Sequence, residues 1–143
     1  MRFKGLIASL AILMLFVGCP EMLKTTAVAG GRIECINTQT SDAILASASD
    51  TSDAIELWRY RPDGYFSLQW TITGTGTAKI EYNVSHDGTN YQEPVGATDI
   101  ATGQTAGTNS ASFTPIIAPY IKIKVTETGG ANAVTVTCIL CLQ

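Results

Sequence analysis

The residues that could do chemistry are few: one histidine, four cysteines and a scatter of carboxylates. Hydrolysis by a Ser, His and Asp set would have to run through His86. Asp87 is its immediate neighbour, just ahead of Gly88, and a carboxylate does not orient the ring of an adjacent residue while a third group attacks. His86 therefore reads as a solvated turn residue, and no catalytic residue is assigned. Folding could bring Asp87 to Glu93, or Asp63 to Asp99, yet nothing in their spacing requires it, and they read as surface turn acids. Asp87, Asn90 and Glu93 are hard oxygen ligands without the spacing of a calcium loop. Gly74 and Gly76 do not precede a helix, so a phosphate cradle fails on context. No metal and no cofactor is expected.

The cysteines and aromatic residues say more. Cys138 and Cys141 have the two-residue gap of a redox or zinc pair, but strand positions three apart point to opposite faces, which argues against joint chelation. Cys35 pairing with either Cys138 or Cys141 would staple the first strand to the last. A buried, reduced Cys138 is the competing reading. Trp58, Tyr60, Tyr65 and Tyr91, with Asn90 and the charged Arg59, Arg61 and Asp63 near them in sequence, have the composition of a sugar platform, in which rings stack on C–H faces and polar groups meet hydroxyls. The alternative is that these rings plug the ends of a core or pack against another subunit.

These residues need elements to position them, and the chain divides into a leader and a body. Arg2 and Lys4 precede an uncharged apolar run from Leu6 to Val17, then Gly18 and Cys19, the three-part layout of a secretory signal. The run is shorter than the roughly 20 residues of a membrane-spanning helix. Leu15-Phe16-Val17-Gly18-Cys19 resembles the bacterial lipoprotein processing box, with Phe16 where Leu is usual. The resemblance implies diacylglycerol on Cys19 and an exported, envelope-anchored protein; plain secretion and an uncleaved anchor are the alternatives. Residues 20–31, with Pro20 and the Gly30-Gly31 pair, then read as a tether and residues 32–143 as the domain. Arg2 and Lys4 are the only charges ahead of Cys19, and the remainder holds 7 basic against 12 acidic residues. That balance excludes affinity for nucleic-acid phosphates. Membrane contact is expected only through the N-terminal lipid.

In the body, apolar residues recur at every second position. Phe66, Leu68, Trp70 and Ile72 share one strand face, and Ser67, Gln69, Thr71 and Thr73 share the other. Ala78, Ile80, Tyr82 and Val84 repeat the pattern, as do Ile121, Ile123 and Val125, and then Val134, Val136, Cys138 and Leu140. The short links at Gly74-Thr75-Gly76 and Gly129-Gly130-Ala131-Asn132 predict hairpins. Shorter strands are expected at 33–36, 43–48 and 55–60, with a helix over 41–48 as the alternative to the second. Ser-Asp-Ala-Ile occurs at 41–44 and again at 52–55, a turn-plus-strand echo and too few copies for a solenoid. Pro62-Asp63-Gly64 predicts a turn, and residues 101–110 a surface loop. About seven to nine short strands imply an all-β fold, an antiparallel, jelly-roll-like β-sandwich.

Tyr65-Phe66-Ser67-Leu68-Gln69-Trp70, Ser85-His86-Asp87-Gly88-Thr89-Asn90-Tyr91 and Tyr120-Ile121-Lys122-Ile123-Lys124-Val125-Thr126 together resemble the small β-sandwich domains of phage structural proteins, over residues 60–143. The resemblance implies a noncatalytic structural or adhesive module, often multimeric, and a virion-associated location as an alternative to the cell envelope. The expected partners are other proteins, further copies of the chain, or a glycan or surface polymer. A carbohydrate-binding module is the second reading and a small envelope hydrolase the weakest.

Overall fold

The structure, a computed structural model, describes residues 34–39, 43–60 and 64–143. The leader, Cys19 and the tether lie outside the described residues, as do Arg61 and Asp63. Alternating apolar and polar residues set the two faces of every long strand. In β5 (Phe66–Gly74), β6 (Ala78–Ser85), β9 (Tyr120–Glu127) and β10 (Val134–Leu142), the apolar stripes read from sequence are buried. Leu68, Ile80, Ile121, Ile123, Cys138 and Leu140 are fully enclosed. At about 1.5–3 kcal/mol per buried aliphatic side chain, this stripe-on-stripe packing is the main source of stability.

The strands form two antiparallel sheets packed face to face. In the first, β10 is flanked by β5, which pairs in turn with β8 (Gly107–Phe113). On its other side, β10 pairs with β1 (Glu34–Gln39) and, further along, with β2 (Ala43–Ile44). In the second, β9 pairs with β6, which pairs with β7 (Ala101–Gln104). The far side of β9 takes β3 (Ser49–Thr51) and then β4 (Ile55–Glu56). Across the gap between β3 and β4, the Ser52 amide donates to the Ile123 carbonyl at 2.8 Å, and the Ile123 amide donates to the Ser52 hydroxyl at 3.0 Å. Counting β1 with β2 and β3 with β4 as interrupted edge strands, the order is that of a jelly roll, with successive crossovers between layers.

That topology corrects both expected hairpins. β5 and β6 lie in opposite sheets, as do β9 and β10, and the four exchange partners: β5 pairs with β10, and β6 with β9. Period two fixes which face of a strand is apolar but not whether the next apolar face lies beside it or across the core. Residues 101–110 are likewise mostly strand, supplying β7 and the start of β8 around a short turn. As sheet edges rich in small polar residues, they carry little of the alternation that marks a buried strand. Residues 55–60 are strand only as far as Glu56; Leu57–Tyr60 wind into one helical turn, α1. Over residues 43–48, β2 is followed by a turn at Ala46 and Ser47, not by a helix.

One end of the sandwich is closed by a single side chain. Glu127 is 1% exposed, and its carboxylate accepts four backbone N–H groups: Thr77 at 3.2 Å and Gly129 at 2.7 Å on Oε1, Ser47 at 2.8 Å and Gly130 at 2.9 Å on Oε2. These donors come from the β2–β3, β5–β6 and β9–β10 connections. The Ser47 amide, followed by those of Gly130, Thr77 and Gly129, outweighs burial and holds the Glu127 carboxyl below the usual carboxylate range. The connections lie so close that a Cβ on Gly76 would sit 2.5 Å from the Asn132 carbonyl oxygen.

Candidate functional site

The opposite end is open and apolar. It is formed where β4 turns into α1, where the chain enters β5, and where the 114–119 segment joins β8 to β9. The amide of Leu57 donates to the Pro119 carbonyl at 2.9 Å, and Leu57 continues inward into the core. The helical turn after it throws Trp58 outward, 58% exposed. Arg59 lies 5.2 Å from the Trp58 ring centroid and forms an ion pair with Glu56. In the 114–119 segment, Pro115 and Ala118 point inward while Ile116 and Ile117 point out. The Ile116 amide donates to the Tyr82 hydroxyl at 3.1 Å, which ties this segment to the Tyr82, Phe113 and Phe66 ring cluster. A cleft of about 600 Å³ lies between these parts, lined mainly by Leu57, Trp58, Phe66, His86, Pro115 and Ile117.

His86 is on the wall of this cleft, but the neighbouring carboxylate is committed elsewhere. Asp87 Oδ1 accepts the Asn90 and Thr89 amides at 2.8 and 2.9 Å and the Ser85 hydroxyl at 2.8 Å, while Oδ2 accepts the Asn90 side-chain amide at 2.7 Å. The Asn90 and Thr89 amides are the main reason that the Asp87 carboxyl is held far below its usual range. Gly88 completes the turn with φ of 72°, and a Cβ there would meet the Tyr120 ring at 3.1 Å. The Ser85 to Asn90 motif is thus a self-contained turn, and Asn90 spends its side chain inside it.

The aromatic residues singled out in the sequence are not gathered into one platform. Trp58 lines the end cleft, while Tyr60 lines a separate groove of about 320 Å³ between β1 and β4. Tyr65, 71% exposed, borders a third hollow beside Phe113 and Gln143. Tyr91 lies under Lys122, whose ammonium is 4.5 Å from the ring centroid, and burial pushes the Tyr91 hydroxyl pKa up. Ile116 and Ile117 do not stand out in the sequence by residue type; the available signal is an Ile pair bracketed by Pro115 and Pro119.

On the outer face of the β6–β9 sheet, the buried Glu81 carboxylate is ion-paired with Lys79 and Lys124, and Lys79 also lies 3.6 Å from Asp99. Burial pushes the Glu81 carboxyl up, and the ammonium groups of Lys124 and Lys79 more than reverse this, so the net shift is downward. Carboxylate oxygens of Glu81, Glu93 and Asp99 lie within 4.8 Å of one another, with the two lysines already neutralising charge there. Asp87 and Glu93 therefore serve different local networks.

The cysteines divide by face. Cys35 and Cys141 are directly opposed on β1 and β10 and joined by a disulfide across a sequence separation of 106. Cys138 faces inward against Trp70, and burial pushes its thiol pKa up to about 12, far from a reactive thiolate.

Comparison with protein-family models and with curated proteins gives no match.

Proposed function

We propose that this chain is a noncatalytic structural or adhesive module, displayed outside the cytoplasm, that works by contact with proteins, with further copies of itself or with a surface polymer. The observation that carries this reading is the outer face of the β10–β5–β8 layer. Thr137, Thr71 and Thr108 form one row across the three strands; Ile139, Gln69 and Ser110 form the next; and Cys141, Ser67 and Ser112 form a third. No charged side chain stands in these rows, whereas the outer face of the other sheet carries Lys79, Glu81, Lys122 and Lys124. Neighbouring strands stand about 4.8 Å apart, so the rows present hydroxyl and amide groups at short, regular intervals on a surface without ions to desolvate. Thr71 and Thr108 already bond to each other, with hydroxyl oxygens 2.9 Å apart.

The commitment of Asp87 to its own turn supports the noncatalytic part of the reading, and the Cys35–Cys141 disulfide supports an oxidising location. The test places a charge in the rows. Thr71→Lys should abolish self-association measured by size exclusion with light scattering, or binding measured on a glycan array, with an unchanged urea midpoint. A monomeric wild type that binds no glycan or envelope protein would overturn the proposal.

A further inference from the structure

We infer that the open end of the sandwich is a docking surface for a lipid bilayer, so that the domain sits on the membrane with its Trp58 end down. The inference rests on the reading of the module as displayed outside the cytoplasm and on the lipid at Cys19 that the processing-box resemblance implies. Four large apolar side chains are exposed there: Trp58 at 58%, Tyr65 at 71%, Ile116 at 45% and Ile117 at 85%. Among the described residues nothing covers these side chains, and the inward positions of the same segments, Leu57, Phe66 and Ala118, already fill the core.

The kind of residue points to an interface with lipid. Trp and Tyr combine an apolar ring with one polar atom, which suits the boundary between headgroups and acyl chains, and the two isoleucines supply purely apolar area beside them. Arg59, held over the Trp58 ring and ion-paired with Glu56, sets a polar rim beside the apolar cluster. The opposite end, closed on Glu127 and its glycines, has no comparable apolar cluster among the described residues.

The described chain enters the domain at this same end. β1 begins at Glu34, opposite Leu142, which is opposite Phe66, itself opposite Phe113, so the first described residue stands in the end row of the sheet. Ile36 to Thr38, further along β1, line one groove with Arg59 and Tyr60 of α1. A chain leaving Glu34 toward an anchored Cys19 spans at most about 50 Å. Such a tether would hold the domain within reach of the bilayer and make the encounter of the Trp58 end with lipid effectively intramolecular.

The two tryptophans make the inference measurable, because Trp70 is 3% exposed in the core and reports on folding alone. The full chain is reconstituted into phosphatidylethanolamine and phosphatidylglycerol vesicles, with and without a spin label at the top of the acyl chain. The label should quench the Trp58 emission at least twofold. Trp58→Phe should abolish the label-dependent quenching, and the Ile116→Ser, Ile117→Ser double variant should reduce it several-fold while the Trp70 emission stays unchanged. Trp58 as open to aqueous iodide in vesicles as N-acetyltryptophanamide is in buffer would overturn docking. So would protection that follows protein concentration and not lipid, which would assign the end to a second copy. Fatty-acid labelling of the wild type against Cys19→Ser scores the anchor separately: labelled Cys19 with exposed Trp58 keeps the anchor and sinks docking, and unlabelled Cys19 with quenched Trp58 does the reverse.

Discussion

At the Glu127 end, three connections share one carboxylate and approach closely enough that only glycine fits at residue 76; at the Trp58 end, the connections stand apart around a cleft of about 600 Å³ with apolar side chains in solvent. Both ends terminate the same two sheets, so the contrast does not come from the strands. It comes from what each end asks of its backbone amides. Glu127 collects four amide donors from three separate connections, and this makes the connections interdependent. The 114–119 segment is instead stiffened by Pro115 and Pro119 and held through Tyr82, which leaves its outward side chains free to contact something else.

The contrast between the ends is broken most severely at Glu127. Glu127→Ala leaves four amides without their acceptor and should give the lowest urea midpoint of any single change at either end, or no soluble protein. Glu127→Gln sharpens the point through pH. A carboxyl lowered on folding contributes stability that is complete above its unfolded pKa, about 4.3, and disappears as pH falls through the folded value. The difference in midpoint between wild type and Glu127→Gln should therefore be constant near neutrality and shrink below about pH 4; a constant difference down to about pH 2 would refute the clamp.

Removing the disulfide with Cys35→Ser and Cys141→Ser should cost about 4 kcal/mol by calorimetry, since it frees a loop of 106 residues in the unfolded chain. Midway between the ends, Leu68→Ala should cost about 2–5 kcal/mol by cavity formation, and Gln69→Ala, on the outer face, less than about 1 kcal/mol. Near-equal losses would mean that the polar face is covered by another layer. Gly76→Ala should cost about 1–3 kcal/mol, because the added methyl meets backbone that cannot move without disturbing Glu127. The smallest effects are expected at the open end, where Trp58→Ala and Ile117→Ser should each shift stability by less than about 0.5 kcal/mol while changing what the protein binds. A large loss at either residue would show that the end is held together from within, contrary to its exposure.

Much of the fold was legible in the chain. Alternation at Phe66–Ile72, Ala78–Val84, Ile121–Val125 and Val134–Leu140 marks the inner face of each long strand, because a strand buried on one side must place apolar residues at every second position. The same rule separates Cys138 from Cys141 and sends them to opposite faces. The Ser85 to Asn90 turn was readable because its hydrogen bonds close within six residues.

Everything that depends on partners distant in sequence was decided by tertiary structure. Two strands joined by a short glycine link have the same apolar pattern whether they pair or face each other across the core, so the exchange that joins β5 to β10 and β6 to β9 could not be read locally. The choice of Cys141 over Cys138 as the mate of Cys35 followed from register between the first and last strands. Glu127 looks like any acid at the end of a strand until Ser47 and Thr77, 80 and 50 residues away, bring their amides to it. Trp58 and Ile117 likewise share a cleft only because β4 and β9 lie side by side. Residue type and period state what a side chain needs from its surroundings; only the folded topology states which distant segment supplies it.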